Sequence, residues 1–485
     1  MKLIYQVKDR PPYGRILVFA LQQLLAILAA TIAVPSIVGN GMSQSAALFG
    51  AGVGTLVYLL FTKFQSPVFL GSSFAFLGSM FAAFGGAASA QAGYLGLILG
   101  AIFAGLVYVV IALVVKFAGV AWINKIMPAV VIGPTVAIIG LSLSGNAIGD
   151  LFTGKVTHEV TEQVAYITDE GTAAIKDVTS NVQNANIYIC MICGLITLAV
   201  TIIASVYGKK MMKLIPFIIG IAAGYIVAAI LTVIGNAANV QALQIIDFSA
   251  FSNMKWLPDF AFLEAFKGFK DIDGAFIGTI AVGYIPVAFV VFAEHIADHK
   301  NLSSIIESDL LKEPGLTRTL LGDGVGSMAG AFFGGCPNTT YGESIGCVAI
   351  TGNASVITIF CTAIIAIVAS FIAPFVTLLA TIPNCVMGGV CIALYGFIAV
   401  SGLKMIQNVD LGDNSNLFVV SVILIAGVGG MTLTFGKITI TEVACALILG
   451  ILTNLLVKKG RKADEPVEAA VQGEETQAIE NTDEG

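Results

Sequence analysis

Apolar runs of about 20 residues recur along nearly the whole chain, separated by short polar stretches. A run of that length is what an α-helix needs to cross the hydrocarbon core of a bilayer, which is roughly 30 Å thick. Only 11% of the 485 residues are charged, against roughly 25% in an ordinary soluble domain. The chain is therefore predicted to be an all-α membrane protein.

The positions of the apolar runs predict fourteen transmembrane segments. The predicted spans are 16–38, 45–62, 67–82, 93–115, 127–146, 187–207, 212–235, 276–300, 318–334, 342–351, 354–373, 376–402, 415–432 and 440–457. The third and the tenth are short and are interrupted by Gly, Ser, Thr or Pro. An even number of spans places both termini on the same side of the membrane.

The basic residues test this topology, because cytoplasmic loops carry an excess of Lys and Arg. With fourteen spans, 18 of the 24 basic residues fall on the side of the termini and 6 on the other side. Both termini are therefore predicted to be cytoplasmic, and the polar loops 147–186 and 236–274 to lie outside. The acidic segment 458–485 is predicted to be a disordered cytoplasmic tail.

The two broken segments lie at matching places in the two halves of the chain. They contain GSSFAF (Gly71–Phe76) and PNTTYGESIG (Pro337–Gly346). Paired short segments of this kind mark the binding site of many transporters, and seven spans in each half make the two repeats inverted. Non-helical backbone within a membrane survives only where it is buried in protein or lines a cavity. We therefore predict that half-helices begin there and point backbone N–H groups into a central cavity.

Apart from Glu442 at the start of the last span, four acids lie inside predicted spans, where an ionisable side chain is costly and usually functional. Glu294 and Asp298 are four residues apart in AEHIADHK and share one face of a helix. Glu343 directly follows the second broken segment. Asp323, in LLGDGVGSMAG, is predicted either to pair with a neighbouring polar group or to take part in ion coupling. His295 is predicted either to pack in the core or to assist these acids.

Carboxylates in a central cavity suit a planar ligand that offers N–H donors beside C=O acceptors. An ionised carboxylate accepts a hydrogen bond from the N–H, whereas a protonated one can also donate to the carbonyl. Phe74, Phe76 and Tyr341 are candidates to stack on the faces of such a ring. One of the acids could also load and release a proton, because burial and neighbouring like charges favour the protonated carboxyl.

Other polar residues are predicted to be structural. The eight cysteines lie mostly in apolar segments, without zinc-ligand spacing, and are expected to be small buried hydrophobic residues. His299 and Lys300 are expected at the inner membrane interface. Glu442 is expected to be an acid at the start of the last helix.

Several motifs resemble those of the nucleobase–cation symporter family, which includes the nucleobase/ascorbate transporters and the bacterial uracil permeases. They are RPP near the start, LGSSFAF, AEHI, DLLKEPGLTR, FFGG, PNTTYGESIG and VMGGVCIALYG. The resemblance covers nearly the whole chain and implies a fold of seven-plus-seven inverted repeats. It implies a core domain of residues 1–115 and 275–373, a gate domain of residues 116–274 and 374–457, and commonly a homodimer.

The resemblance also implies a function and a set of site residues. The implied function is proton-coupled import of uracil across the bacterial inner membrane, by alternating access between core and gate. The proton is the coupling ion, no other cofactor or metal is implied, and the partners are the substrate and membrane lipid, without nucleic acid. Glu294, Asp298 and Glu343 are the candidate proton-coupling residues. The candidate substrate-binding residues are Glu294, Glu343, Phe74, Tyr341, Gly342 and Ser73.

Three positions depart from the family pattern. Ser344 stands where the signature has Asn, Gln22 and Gln23 replace a Gln-His pair, and Asp298 resembles the purine-carrying relatives. A proton-coupled xanthine or uric acid permease is therefore an alternative, although Glu343 favours uracil because purine carriers tend to have Gln there. An anion transporter of the same fold is a further alternative, which two acids in the cavity disfavour. A channel and an enzyme are disfavoured because the sequence has neither a filter repeat nor a catalytic cluster.

Overall fold

The computed structural model describes residues 3–119, 128–167, 173–209, 211–435 and 438–457. Most of these residues are helical. The predicted acidic tail lies outside the described residues.

Polar side chains mark where several of the long helices begin. Ser43, Ser89 and Asp273 each accept a hydrogen bond from a backbone N–H of the first turn that follows. The helices up to the middle of the chain are α1 (Tyr13–Val38), α2 (Gln44–Phe61), α3 (Leu77–Gly85), α4 (Ala90–Ala118), α5 (Ala129–Ser142), α6 (Ser144–Leu151), α7 (Ile187–Tyr207), α8 (Met211–Leu214) and α9 (Pro216–Ala238).

The second half continues the same pattern of long apolar helices joined by short connections. Its helices are α10 (Ala261–Ala265), α11 (Gly274–Ile306), α12 (Leu316–Gly334), α13 (Gly342–Thr351), α14 (Val356–Ala369), α15 (Ala373–Ala380), α16 (Asn384–Met405), α17 (Asn414–Val428) and α18 (Glu442–Val457). The strands of the chain are β1 (Leu70–Ser72), β2 (Thr157–Ile167), β3 (Ala173–Gln183), β4 (Asn338–Thr340), β5 (Leu433–Phe435) and β6 (Ile438–Ile440).

Within the described residues, eight helical segments are long and apolar enough to cross a membrane, and a ninth would be α14 and α15 together. Three shorter apolar helices lie at further predicted spans. The protein is thus a multi-pass membrane protein, whereas the count of fourteen crossings stays a prediction. The predicted span 376–402 is wrong in its bounds. Pro374 and Pro383 lie at the starts of α15 and α16, where the missing backbone N–H of proline costs no hydrogen bond. The apolar run 376–402 is therefore divided between these two helices.

The two broken segments cross and pair with each other, as the predicted extended segments require. β1 and β4 are antiparallel, with Leu70 opposite Thr340 and Ser72 opposite Asn338. Thr55 of α2 bonds both backbone polar groups of Leu70, at 2.9 Å to its N–H and 3.2 Å to its carbonyl. The short strands therefore have partners for their backbone groups inside the helical bundle.

Glycines let α2 and α12 approach closely and support the crossing strands from behind. A Cβ on Gly50 would lie 2.4 Å from the carbonyl oxygen of Gly330. A Cβ on Gly330 would in turn lie 2.2 Å from Nδ2 of Asn338, which donates to the carbonyl of Gly50 at 3.1 Å. This close packing of small residues is the usual way in which membrane helices associate.

The loop predicted for residues 147–186 contains a feature that the all-α prediction missed. β2 and β3 form an antiparallel hairpin with Thr157 opposite Gln183 and Ile167 opposite Ala173. The Thr- and Val-rich sequence THEVTEQVAYI suits a strand. The predictions for the cysteines and for Glu442 are confirmed: the cysteines are free and all but Cys361 are buried, and Glu442 lies in the first turn of α18.

Candidate functional site

A cavity of about 390 Å³ lies where the crossing strands meet the surrounding helices. This volume is within the range of small-molecule sites, roughly 300–1,000 Å³. Its walls come from α1, α5, α8, α9, α11, β4, α13 and α16, and from the segment after β1. All of the predicted substrate-binding residues, together with Asp298, line it: Ser73, Phe74, Glu294, Asp298, Tyr341, Gly342 and Glu343.

Two helix starts face this cavity. A 3₁₀ turn begins at Phe74 and runs into α3, and α13 begins at Gly342. The first N–H groups of a helix have no partner within it, and they lie at the positive end of the helix dipole. The cavity therefore offers backbone donors at both broken segments.

Three carboxyl groups complete the polar part of the cavity. Glu294 and Asp298 lie one turn apart on the same face of α11, and Glu343 lies in the first turn of α13. The hydroxyl of Thr340 in β4 donates to Oδ2 of Asp298 at 2.7 Å. Asp298 is therefore tied to the crossing strands, whereas Glu294 and Glu343 have no hydrogen bond to another side chain of the described residues that would compete for a ligand.

Tyr341 is held in place by the crossing strands. Its hydroxyl donates to the carbonyl of Ser72 at 2.8 Å, and its backbone N–H donates to the carbonyl of Phe69 at 3.2 Å. The ring lies directly over Gly71, where a Cβ would be 2.3 Å from two ring atoms. Only glycine at position 71 leaves room for this ring.

We expect Gly71→Ala to displace Tyr341 and weaken ligand binding, because β1 cannot yield without breaking its pairing with β4. The reduction should be about tenfold or more, which corresponds to about 1.4 kcal/mol. Gly396→Ala is the matched control, since a Cβ on Gly396 of α16 meets no atom within 4 Å. Equilibrium binding of radiolabelled ligand to both purified variants checks this, and equal affinities would contradict the role of Tyr341.

Ser344 lies behind the cavity rather than in its wall. Its hydroxyl accepts hydrogen bonds from Nε2 of Gln23 and, at 3.1 Å, from the N–H of Phe69. Gln23 also donates to the carbonyl of Ser344 at 3.2 Å. The two residues that depart from the family pattern thus bond to each other and join α1 to the start of α13.

His295 and Asp323 also lie outside the cavity wall, as a buried pair. Nδ1 of His295 and Oδ2 of Asp323 are 2.7 Å apart, and neither side chain is exposed. The prediction for His299 is wrong: this residue is fully buried, and only Lys300 is exposed. At 100° per residue along a helix, His299 points away from the cavity face that Asp298 occupies.

Several residues near the ligand site were not predicted from the sequence. The ring of Tyr395 in α16 meets Phe74 edge-on at 5.9 Å and 80°. Val136 and Ile139 of α5 form an apolar wall, and they carry no sequence signal because they are ordinary residues of a span. The prediction that Phe76 stacks on a ligand is wrong, because its ring stacks on that of Tyr284 at 5.4 Å instead.

The fold is shared with solved membrane transporters. The transmembrane domain of the cyanobacterium bicarbonate transporter BicA superposes with a TM-score of 0.57 and 14% identity, covering 93% of this chain and 99% of that chain. The murine Slc26a9 anion transporter in the inward-facing state gives a TM-score of 0.60 and 13% identity, covering 93% and 69%. At such low identity the likeness concerns the fold alone.

Comparison of sequences identifies the family. The model of the Permease family matches residues 14–435, and the chain belongs to this family. A uracil permease of Bacillus caldolyticus is 38% identical over 96% of this chain and 97% of its own length. Those of Bacillus subtilis (strain 168) and Escherichia coli (strain K12) are 36% and 33% identical, over 94% and 93% of this chain and 95% and 93% of their own lengths. The protein is therefore a membrane permease and not an enzyme.

Proposed function

We propose that this permease imports uracil together with protons across the bacterial plasma membrane. The observation that carries the proposal is the convergence of Glu294 and Glu343 on one cavity at which two half-helices begin. The names of the relatives support uracil as the substrate, because three of them, at 33–38% identity over nearly the full length, are uracil permeases.

The chemistry of uracil matches these groups. The ring has two N–H donors and two carbonyl acceptors, arranged alternately around one edge. Carboxylates of Glu294 and Glu343 accept from the N–H groups, and the backbone N–H groups at Phe74 and Gly342 donate to the carbonyls. Tyr341 and Phe74 supply aromatic surface for the flat faces of the ring.

The number of acids in the cavity supports proton coupling. Three carboxylates in a mostly apolar space repel each other, so the group shares at least one proton that is bound and released in concert with the substrate. Thr340 donates to one oxygen of Asp298, so Glu294 and Glu343 are the acids free to hold uracil. Asp298 can therefore carry the proton while the two glutamates bind the substrate.

Alternating access is supported by the origin of the cavity walls. The acids and the crossing strands belong to the predicted core domain, whereas Val136, Phe217 and Phe397 belong to the predicted gate domain. Apart from Lys213 and Ser401, the gate residues that line the cavity are apolar, so this wall can slide or rock against the core with few polar contacts to break. We expect this permease to work as a homodimer, like others of the family it resembles.

Two other substrates are weighed against uracil. A xanthine or uric acid permease is favoured by Asp298 and disfavoured by Glu343. The anion transporters that share the fold have substrates that the three cavity acids would repel, since Lys213 offsets only one of the three charges. Neither alternative agrees with both the acids of the cavity and the names of the sequence relatives.

Competition binding tests the substrate. Radiolabelled uracil should bind the purified protein and be displaced by unlabelled uracil at least about tenfold more readily than by xanthine or uric acid. Bicarbonate and sulfate should not displace it. Displacement by xanthine at equal or lower concentration would instead identify a purine permease, and saturable binding of bicarbonate without uracil binding would identify an anion transporter.

A further inference from the structure

A buried polar cluster lies on the side of α11 that faces away from the substrate cavity. Nδ1 of His295 is 2.7 Å from Oδ2 of Asp323, and Nε2 of His295 is 3.0 Å from the hydroxyl of Thr319. Asp323 and Thr319 both belong to α12, and all three side chains are fully buried. In the described part of the chain, Oδ1 of Asp323 has no hydrogen-bond partner.

The hydrogen bonds of Thr319 distinguish two protonation states of the pair formed by His295 and Asp323. Its hydroxyl has one hydrogen, and the carbonyl of Leu316 lies 3.1 Å away as an alternative acceptor. When the hydroxyl donates to Leu316, Nε2 of His295 must carry a hydrogen to donate, and the pair is imidazolium and carboxylate with no net charge. When the hydroxyl turns to donate to His295, the pair has lost one proton and carries a net negative charge.

The ring of His299 lies directly against that of His295. The two rings are stacked with the centroids 4.0 Å apart and 28° between the planes. Nδ1 of His299 donates to the carbonyl of His295 at 2.8 Å. Nε2 of His299 lies 2.6 Å from the hydroxyl of Tyr58, which itself donates to the hydroxyl of Ser66 at 2.7 Å. The ring of His299 is therefore fixed against that of His295 by contacts at both of its nitrogens.

A second, small cavity is lined both by neighbours of this cluster and by a strand of the substrate site. Its volume is about 10 Å³, close to the least that one water molecule requires. Tyr108 of α4, whose hydroxyl has no partner among the described residues, and Gly324, the neighbour of Asp323, line it. Thr339 of β4 lines both this cavity and the substrate cavity.

We propose that Asp323 and His295 form a proton-binding site separate from the substrate acids, loaded past Thr339, and that the uracil-loaded permease changes its access only with a proton on this pair, which it releases before the empty permease returns. The physical reason is the cost of a buried net charge: the loaded pair is neutral, whereas the unloaded pair is an anion with an unpaired oxygen. The other titratable groups around it are Tyr58, Tyr108, Glu294, Asp298 and His299. The proposal rests on the proton coupling proposed above.

The test measures exchange of internal for external uracil in proteoliposomes as a function of pH. In the unmodified protein, exchange should accelerate as pH falls, because a larger fraction of the pairs carries a proton. Asp323→Asn removes the carboxyl, and the buried imidazole of His295 stays neutral because it has lost its counter-charge. Exchange should therefore become independent of pH, and accumulation driven by a pH gradient should fall at least about tenfold. Uracil binding should change by less than about threefold, since Asp323 does not line the cavity.

Glu442→Gln is the control, because Glu442 lines neither cavity and has no hydrogen bond to Asp323 or His295 in the described residues. It should keep the pH dependence of exchange. If exchange by the Asp323→Asn protein still depends on pH and the protein still accumulates uracil, this proposal is overturned, whereas proton coupling itself stands. If Asp323→Asn cannot be purified folded, His295→Gln is the second variant: it leaves a lone buried carboxyl that keeps its proton to higher pH, so the fall of exchange with rising pH should move to higher pH. An unshifted pH dependence would overturn the proposal, and failure of both variants to fold would show that the pair is structural. An unmodified protein that ignores pH gradients would instead refute the proposed function.

Discussion

Replacing Glu343 by Gln is expected to abolish uracil binding at the concentrations that saturate the unmodified protein. The substitution removes a charged acceptor that one N–H of the ring needs in a buried cavity. Such a loss costs about 2–3 kcal/mol, which raises the Kd about 30- to 150-fold. Gln keeps the size of the side chain and its place in the first turn of α13, so folding and membrane insertion should be unaffected.

Glu442→Gln is the control for this experiment. Glu442 also lies in the first turn of a helix, α18, but it does not line the cavity. Radiolabelled uracil binding and thermal unfolding should be measured on both variants. A stable Glu343→Gln protein with nearly normal uracil affinity would remove Glu343 from the site.

Replacing Asp298 by Asn is expected to separate transport from the proton gradient. Glu294 and Glu343 still hold the base, so uracil binding and the exchange of internal for external uracil should persist. Accumulation driven by a pH gradient should fall at least about tenfold, because position 298 can no longer gain or lose a proton. The measurement is binding, exchange and gradient-driven uptake on one purified preparation.

Thr340→Val distinguishes coupling from anchoring. It removes the donor that lies 2.7 Å from Asp298 but leaves the acid in place. If Asp298 only anchored α11 to β4, both variants would lose stability, binding and exchange together. Intact gradient-driven uptake by Asp298→Asn would exclude Asp298 from the proton path.

The sequence predicted the parts of the site that are unusual for a membrane. Acids within a span are costly, so Glu294, Asp298 and Glu343 stood out and all face one cavity. Gly, Ser, Thr and Pro interrupt the apolar pattern at the crossing strands, and these strands pair as extended segments. The helix that starts at Gly342 was predicted to the residue.

Other features gave no usable signal because they depend on contacts between distant segments. The bond between Gln23 and Ser344 joins residues 321 positions apart. Tyr395 and Val136 are typical residues of an apolar span, and only their packing places them by the site. His299 seemed to lie at a span end, but α11 continues to Ile306, beyond the expected end at residue 300, and buries it.

The most direct test of the account is uptake of radiolabelled uracil by proteoliposomes that contain only this protein. A pH gradient, acidic outside, should drive uracil to accumulate above its external concentration, and a proton ionophore should abolish the accumulation. A sodium gradient at equal pH on both sides should have no effect. Accumulation that follows the sodium gradient and ignores the pH gradient would contradict proton-coupled uracil import.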